Sequence, residues 1–193
     1  MSEKIAVLGL GYVGLPLMIG LARHHEDVIG FDIDERRVKA LNENNDWTGE
    51  VEASELEATT GRVTATSDDL TDCSIYVVTV PTPIDDAKRP DLTPVISACK
   101  TLGELLKKKA ADGKIGPTPL IIFESTVYPG LTEEICGTEI AKVSGLQQSK
   151  DFKLGYSPER INPGDKVNRV ENIVKVISAE DEESLQRTEA LYS

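Results

Sequence analysis

Short, unbroken apolar runs alternate along this chain with longer amphipathic stretches, and that alternation constrains the fold more than any other feature. Runs such as IAVL at 5–8 and LIIF at 120–123 lack the polar–apolar alternation of a half-exposed strand and are typical of strands buried on both faces. Strands that alternate with helices indicate a parallel sheet covered by helices on both sides. Because such crossovers are right-handed, we predict an α/β, doubly wound, mostly parallel sheet.

The individual elements follow from the same pattern. The predicted strands are Lys4–Leu8, Val28–Asp32, Arg62–Thr66, Ser74–Val80, Leu120–Phe123 and Phe152–Tyr156, with Ile173–Ile177 as a further candidate. The predicted helices are Val13–His24, Glu35–Asn44, Thr93–Lys109, Gly130–Ser144 and Asp181–Tyr192. The acidic and polar stretch Asp46–Gly61 is interpreted as an excursion between a helix and a strand, and Lys107–Pro119 as a loop. Neither is interpreted as a domain linker, because elements of the same alternating pattern flank both of them.

Composition narrows the classes of function. The 193 residues suffice for about one domain, and the net charge of −12 argues against nonspecific binding to nucleic acid or to anionic membranes. No apolar run approaches the roughly 20 residues that span a bilayer, and the N-terminus lacks the layout of a signal peptide. The three cysteines are scattered and fit neither a disulfide framework nor a thiolate metal site. We therefore expect a cytoplasmic protein without a metal.

A glycine-rich turn follows the first predicted strand and opens the first predicted helix. Gly9 permits the tight turn, Gly11 lets a phosphate approach the backbone without an intervening Cβ, and Gly14 lets the helix pack close to the strand. The helix directs its unpaired N–H groups and the positive end of its dipole at the same point. The GxGxxG spacing is weak by itself, but in this context it indicates a pyrophosphate site.

An acid ends the second predicted strand, where a dinucleotide ribose would lie. Asp32 lies 18 positions past Gly14, close to the usual spacing of about 20. A carboxylate there accepts hydrogen bonds from ribose hydroxyls and repels a 2′-phosphate, which favours NAD over NADP, although Asp32 could instead cap a helix. Arg36 and Arg37 could accept a 2′-phosphate or lie on a solvated helix face. Strand, turn, helix and acid together predict a Rossmann-like NAD-binding domain.

Three later strands are predicted to end in segments marked by proline: VPTP at 80–83, ESTVYPG at 124–130 and YSPERINPG at 156–164. Together with GLGYVGLP at 9–16, these segments resemble the nucleotide-sugar 6-dehydrogenases, the UDP-glucose/GDP-mannose dehydrogenase family, over essentially the whole chain. The resemblance implies that residues 1–193 correspond to the N-terminal, NAD-binding domain of that family. The expected linking helix and C-terminal domain would then lie beyond a truncation, although a natural C-terminal helix at this point is equally compatible with the sequence.

The resemblance also implies cofactor contacts. It assigns the pyrophosphate to the backbone around Tyr12 and Val13, the adenosine side to Asp32 and Arg37, and a further cofactor contact to Thr82.

The same resemblance implies two catalytic residues and a substrate-facing segment. The resemblance implies that Thr126 lies near the nicotinamide and helps to hold a catalytic water, that Glu159 is a general base, and that Arg160 and Asn162 face the substrate. The positions of Thr82, Thr126 and Glu159 after predicted strands agree with ligand binding at the carboxyl ends of a parallel sheet. Helix capping would be a local explanation for both threonines, and a helix-start acid for Glu159.

The reaction that the resemblance implies is a double oxidation of a sugar C6 alcohol to a carboxylate with two NAD, through a cysteine thiohemiacetal that water releases. The glycine-rich segment with the nucleophilic cysteine is absent, as are the catalytic lysine and asparagine. Cys73, Cys99 and Cys136 are better interpreted as small buried apolar residues. We therefore expect this chain to bind NAD without completing catalysis alone.

The sequence also suggests a substrate and leaves alternative functions open. The segment PERINPG at 158–164 resembles the branch that oxidises UDP-N-acetylhexosamines for surface polysaccharides, and Arg160 suits a pyrophosphate or a sugar oxygen. UDP-glucose as substrate, a β-hydroxyacid dehydrogenase and a stand-alone NAD-sensing module remain the alternatives. The expected partner is a UDP-sugar, and the full-length enzyme is expected to be a homodimer.

Overall fold

The sheet has the predicted doubly wound architecture. The computed structural model describes residues 3–84, 90–113, 116–125, 127–158 and 174–193. Within these residues the strands are β1 (Ile5–Leu8), β2 (Val28–Phe31), β3 (Arg62–Thr64), β4 (Ile75–Val78), β5 (Leu120–Phe123), β6 (Lys153–Tyr156) and β7 (Ser178–Ala179). They pair in the order β3-β2-β1-β4-β5-β6-β7, and all pairs are parallel except β6 with β7. The α/β prediction is therefore confirmed.

Helices follow the strands on both sides of the sheet. The α-helices are α1 (Gly14–Ala22), α2 (Glu35–Asn42), α3 (Ala53–Ala58), α4 (Thr93–Ala111), α5 (Thr138–Ser144) and α6 (Glu182–Tyr192). A 3₁₀ turn at Ser67–Leu70 precedes β4, and a π-helical segment at Leu131–Gly137 leads directly into α5. The described helices include none with both the length and the apolar character that crossing a bilayer requires.

The structure differs from the sequence prediction at one helix and one strand. Helix α3 lies inside the polar stretch 46–61, where the sequence predicts no helix; Glu52 and Glu55 form a reciprocal capping box there, and Leu56 is the buried residue of the helix. Of the candidate strand Ile173–Ile177, Ile173 lies outside the described residues and 174–177 are not a strand; the antiparallel β7 begins at Ser178 instead. Val174 is 87% exposed, so the apolar character of this segment does not reflect burial in the sheet.

Burial of the central strands explains their unbroken apolar sequences. Every residue of β1, β2, β4 and β5 is buried, because helices cover both faces of the sheet. One core cluster lies on the face covered by α4 and α5 and contains Tyr76, Phe123 and all three cysteines. The other lies on the face covered by α1 and contains Leu15 and Met18. Burying one such side chain contributes about 1.5–3 kcal/mol.

The turn from β1 into α1 is closed by direct backbone packing. Gly9 has a φ of 95°, in the left-handed region that favours glycine. A Cβ on Gly14 would lie 1.8 Å from the Gly9 carbonyl oxygen and 2.3 Å from Thr79 Oγ1. The Thr79 hydroxyl contacts the carbonyl oxygens of Leu8 and Gly9 at 3.0 and 2.8 Å. The residue that directly follows β4 therefore holds the turn, and no side chain larger than hydrogen fits at position 14.

The substitution Gly14→Ala should destabilise the fold by about 3 kcal/mol, because the Gly9 backbone must move to admit the methyl group. Gly11→Ala is the matched control in the same turn, since a Cβ on Gly11 meets nothing within 4 Å. Its change in the free energy of unfolding should stay within about 0.5 kcal/mol. Urea denaturation of both variants measures the difference, and equal midpoints would contradict the packing argument.

The three buried thiols should be unreactive in the folded protein. All three cysteines are free, and burial raises the pKa of Cys73 to about 11, whereas contact with Cys136 and burial raise the pKa of Cys99. At pH 8 we expect labelling by a thiol reagent to be about 100-fold slower in the native protein than in guanidinium, because all three thiols are buried and the raised pKa values of Cys73 and Cys99 leave few thiolates at those two positions. Rapid native labelling of one thiol would instead identify a candidate nucleophile.

Candidate functional site

The site lies where the strand order reverses. The chain leaves β1 towards β2 on one side, while β4 pairs with the other side of β1, so a crevice opens at the carboxyl ends of β1 and β4. Two cavities meet there at the glycine turn. The first, of about 400 Å³, extends from Gly11, Tyr12 and Val13 past Thr82 to Glu124 and Ser125. The second, of about 250 Å³, extends from Gly9 and Gly11 past Asp32 and Ile33 to helix α4.

Asp32 lies at the wall of the second cavity and is bonded to the turn. Its Oδ2 accepts the N–H of Leu10 at 2.8 Å, and its Oδ1 accepts the N–H of Asp34 at 2.9 Å. A carboxylate offers about four acceptor sites, so two hydrogen bonds leave capacity for ligand hydroxyls. The carboxyl group thus joins the end of β2 to the glycine turn, as a ribose-binding acid requires.

Asp34, and not Asp32, caps helix α2. Helix capping therefore does not explain the acid at position 32. The Asp34 side chain accepts the N–H of Arg36 as the N-cap of α2. The Arg36 guanidinium pairs with Asp34 at 2.9 Å, and this hydrogen-bonded partner lowers the pKa of Asp34. Arg36 is 86% exposed, which corresponds to the solvated helix face that we considered as its alternative.

Arg37 lies beneath the turn and is 3% exposed. Its Nε donates to the carbonyl oxygen of Leu10 at 2.8 Å, and its Nη1 lies 2.8 Å from Asp46 Oδ1. Its guanidinium also stands 5.2 Å from the ring centre of Trp47. Burial opposes ionisation of Asp46, but hydrogen bonds from Thr48, Val51 and Arg37 lower its pKa overall. The described contacts of Arg37 are therefore with the protein, and it supports the turn from below.

The described turn fits a pyrophosphate. Gly11 faces the cavities with open space beside its backbone, and no side chain caps the N-terminus of α1 at Val13. The first N–H groups of α1 and the positive end of its dipole therefore meet the junction of the two cavities. Tyr12 is 45% exposed and lines the first cavity, as does Thr82. Among the described residues, no group of three or more His, Cys, Asp or Glu side chains could hold a metal ion.

The structure does not describe the predicted catalytic and substrate-facing residues. Thr126, Glu159, Arg160 and Asn162 lie outside the described residues, so their roles stay predictions. Their neighbours are described: Ser125 lines the first cavity and donates from Oγ to the Val80 carbonyl at 2.5 Å. The carboxyl ends of β5 and β6, which precede them, are adjacent in the sheet.

Sequence reasoning missed several residues of the site. Thr79 secures the turn, Ile33 is 75% exposed beside Asp32, and Glu124 lies buried at the far end of the first cavity. Thr79 interrupts an otherwise apolar strand sequence, and Ile33 is an apolar residue between two acids. Both irregularities could have been recognised as signals that these positions serve the site.

Comparison with known proteins agrees with this geometry. Residues 3–193 match the NAD-binding domain of the UDP-glucose/GDP-mannose dehydrogenase family. The chain is 47% identical over 190 residues to UDP-N-acetyl-D-glucosamine 6-dehydrogenase of Pseudomonas aeruginosa and 46% identical over 193 residues to protein CapL of Staphylococcus aureus. These alignments cover 98% and 100% of this chain, but 43% of each relative. The chain thus spans less than half the length of these relatives.

A solved structure supports the same assignment. The UDP-D-ManNAc dehydrogenase of Pyrococcus horikoshii superimposes with a TM-score of 0.83 at 30% identity, over 98% of this chain and 44% of that one. The family match covers nearly the whole sequence and displaces the alternative of a β-hydroxyacid dehydrogenase. The glycine turn, the acid after β2 and the sequence match lead to one conclusion: the chain belongs to the UDP-glucose/GDP-mannose dehydrogenase family, whose NAD-binding domain it carries.

Proposed function

We propose that this chain is the cofactor-binding half of a nucleotide-sugar 6-dehydrogenase that oxidises a UDP-N-acetylhexosamine. The observation that carries the proposal is the bond from the Leu10 N–H to the Asp32 carboxylate, beside the open backbone of Gly11. This arrangement joins a ribose acceptor to a pyrophosphate site within one rigid turn. When bound, NAD would supply the hydride acceptor for both oxidation steps.

Different residues at and around the turn would bind different parts of the cofactor. The backbone around Tyr12 and Val13 would receive the pyrophosphate, Asp32 the adenosine ribose, and Thr82 the other half of the cofactor. Arg37 is buried below, so we assign it a positioning role through Leu10 in addition to the cofactor contact expected from the sequence. Thr126 as the holder of a water and Glu159 as the general base stay predictions, as do the substrate contacts of Arg160 and Asn162.

The choice of substrate rests on the relatives. The 47% identity to a UDP-N-acetyl-D-glucosamine 6-dehydrogenase supports the acetylhexosamine branch over the UDP-glucose alternative. A stand-alone NAD-sensing module would use the same cleft and remains the second candidate, because the described cysteines are all buried. The homodimer, the cytoplasmic location and the extent of the domain as residues 1–193 of a longer enzyme also stay predictions.

Calorimetric titration should show NAD binding at least about tenfold tighter than NADP, because Asp32 repels a 2′-phosphate. Asp32→Asn should weaken NAD binding about tenfold by removing the charge from a hydrogen-bonded acceptor, and should reduce the preference over NADP. Asp34→Asn is the matched control two positions away, since Asp34 caps α2 without lining either cavity. Tighter binding of NADP to the unmodified chain would contradict the role of Asp32.

Measurement of NADH formation distinguishes the proposed dehydrogenase from the stand-alone NAD-sensing module. The 193-residue chain with NAD and a UDP-sugar should form no sustained NADH, because its cysteines are buried. A protein that joins this domain to the remaining length of the family should form two NADH per UDP-N-acetylglucosamine or UDP-N-acetylgalactosamine, measured by absorbance. A clear preference for UDP-glucose would overturn the proposed branch, and inactivity with every UDP-sugar would favour the sensor.

A further inference from the structure

The peptide group between Leu10 and Gly11 is bonded to the protein on one side. The Leu10 carbonyl oxygen accepts the Nε–H of Arg37 at 2.8 Å. In a trans peptide the carbonyl and the next N–H point in opposite directions, so the Gly11 N–H points away from Arg37. Gly11 lines both cavities, whereas Arg37 lines neither. Within the part of the chain that the structure describes, no group accepts the Gly11 N–H, which leaves it for a ligand.

Glycine does not fix this orientation by itself. A Cβ on Gly11 would meet nothing within 4 Å, so neighbouring atoms leave room for the peptide to turn. The bond from the Leu10 N–H to Asp32 fixes the preceding peptide and not this one. If the peptide turned over, the Leu10 carbonyl oxygen would face the cavities and repel a phosphate. The direction of the Gly11 N–H therefore depends on where the Arg37 guanidinium is held.

Asp46 is the group that holds the guanidinium. Arg37 Nη1 lies 2.8 Å from Asp46 Oδ1, and the Asp46 side chain is 0% exposed. Arg37 Nη2 has no hydrogen-bond acceptor, so the described polar contacts of the guanidinium are with Asp46 and the Leu10 carbonyl. Without the carboxylate, the buried guanidinium would be an uncompensated charge that gains by turning towards water.

The loop that follows Asp46 fixes the carboxylate in turn. Asp46 Oδ1 accepts the N–H and the hydroxyl of Thr48 at 3.0 and 2.7 Å, and Oδ2 accepts the N–H groups of Glu50 and Val51 at 3.0 Å each. Val51 is buried and belongs to the core cluster on the face covered by α1. A continuous set of contacts therefore connects this core to Asp46, to Arg37 and to the glycine turn.

We infer that Asp46 is a positioning residue for the pyrophosphate, because through Arg37 it keeps the Gly11 N–H directed at the cofactor. Asp46 lines neither cavity, so it acts without touching the ligand. None of the roles expected from the sequence includes it. The inference rests on the proposed NAD site and adds to it a residue outside the glycine turn.

The sign of the effect of one substitution separates positioning from charge. Asp46→Asn removes a negative charge beneath an anion site, so an effect of charge alone would tighten the binding of ADP-ribose. Loss of positioning should instead weaken it about tenfold, because one N–H no longer points at the diphosphate. Calorimetric titration of the 193-residue chain measures the dissociation constant, and partial unfolding would lower the stoichiometry instead. Unchanged or tighter binding would overturn the inference.

A double-mutant cycle tests whether Asp46 acts through Arg37. Arg37→Lys keeps the positive charge but loses the rigid fork that reaches two acceptors, and should weaken ADP-ribose binding about tenfold. In that background, Asp46→Asn should add less than about a twofold further loss. Full additivity of the two substitutions would show that Asp46 acts by another route. Thr48→Val is the matched control, since it removes one hydrogen bond from the same carboxylate and should change the affinity less than about twofold.

The Gly11 amide provides a direct spectroscopic readout. In NMR spectra of the isotope-labelled chain, saturation with ADP-ribose should move the Gly11 amide proton downfield, as a new hydrogen bond to phosphate requires. The shift should be smaller in the saturated Asp46→Asn variant. A purely structural role for Asp46 would leave the shift of the saturated complex unchanged, and that result would contradict the inference.

The unmodified chain gives a test that does not depend on a variant that folds. Because coupling between sites is reciprocal, ADP-ribose should slow hydrogen exchange of the Thr48 and Val51 amides, which donate to Asp46. The Gln147 amide donates to the Asp151 carboxylate elsewhere in the chain and should not respond. If ADP-ribose binds and the two loop amides do not respond, the inference is wrong. If neither ADP-ribose nor NAD binds, the proposed NAD site itself is wrong.

Discussion

The missing side chain at Gly14 is the constraint on which the site depends. It lets the Gly9 carbonyl oxygen approach the start of α1 so closely that a Cβ would lie 1.8 Å away. Thr79 secures the same point from β4, while Asp32 and Arg37 bind the N–H and the carbonyl of Leu10. Four separate parts of the sequence therefore fix one short turn, and both cavities take their shape from it.

The parts of the fold that follow from local sequence could be predicted, and those that depend on distant partners could not. The apolar strands, the glycine turn and Asp32 are recognisable because burial on both faces and tight backbone packing leave few residue types possible. Helix α3 was missed because its capping box begins with Glu52 instead of a common capping residue, and only one residue is buried. Arg37 points inward because it pairs with Asp46. Helical periodicity could not reveal this, since Asp46 lies outside the helix of Arg37.

The groups next to the turn determine the charge at the site, although the chain as a whole is strongly acidic. The net charge of −12 excludes broad attraction of anions, yet the turn offers N–H groups and a helix dipole to a pyrophosphate. Beneath it, Arg37 is paired with Asp46, and beyond it Lys175 is paired with Glu124. Both of these cations are buried against a carboxylate, so among the described residues neither one is a free positive charge in the crevice.

The contact between Arg37 and Trp47 places an indole next to a residue that supports the glycine turn. Trp47 is the single tryptophan of the chain, and the guanidinium over its ring also binds the Leu10 carbonyl. One side chain therefore connects the backbone of the glycine turn to the indole. Because the chain has no second tryptophan, any change in indole emission on addition of a ligand would be assigned to Trp47 without an attached dye.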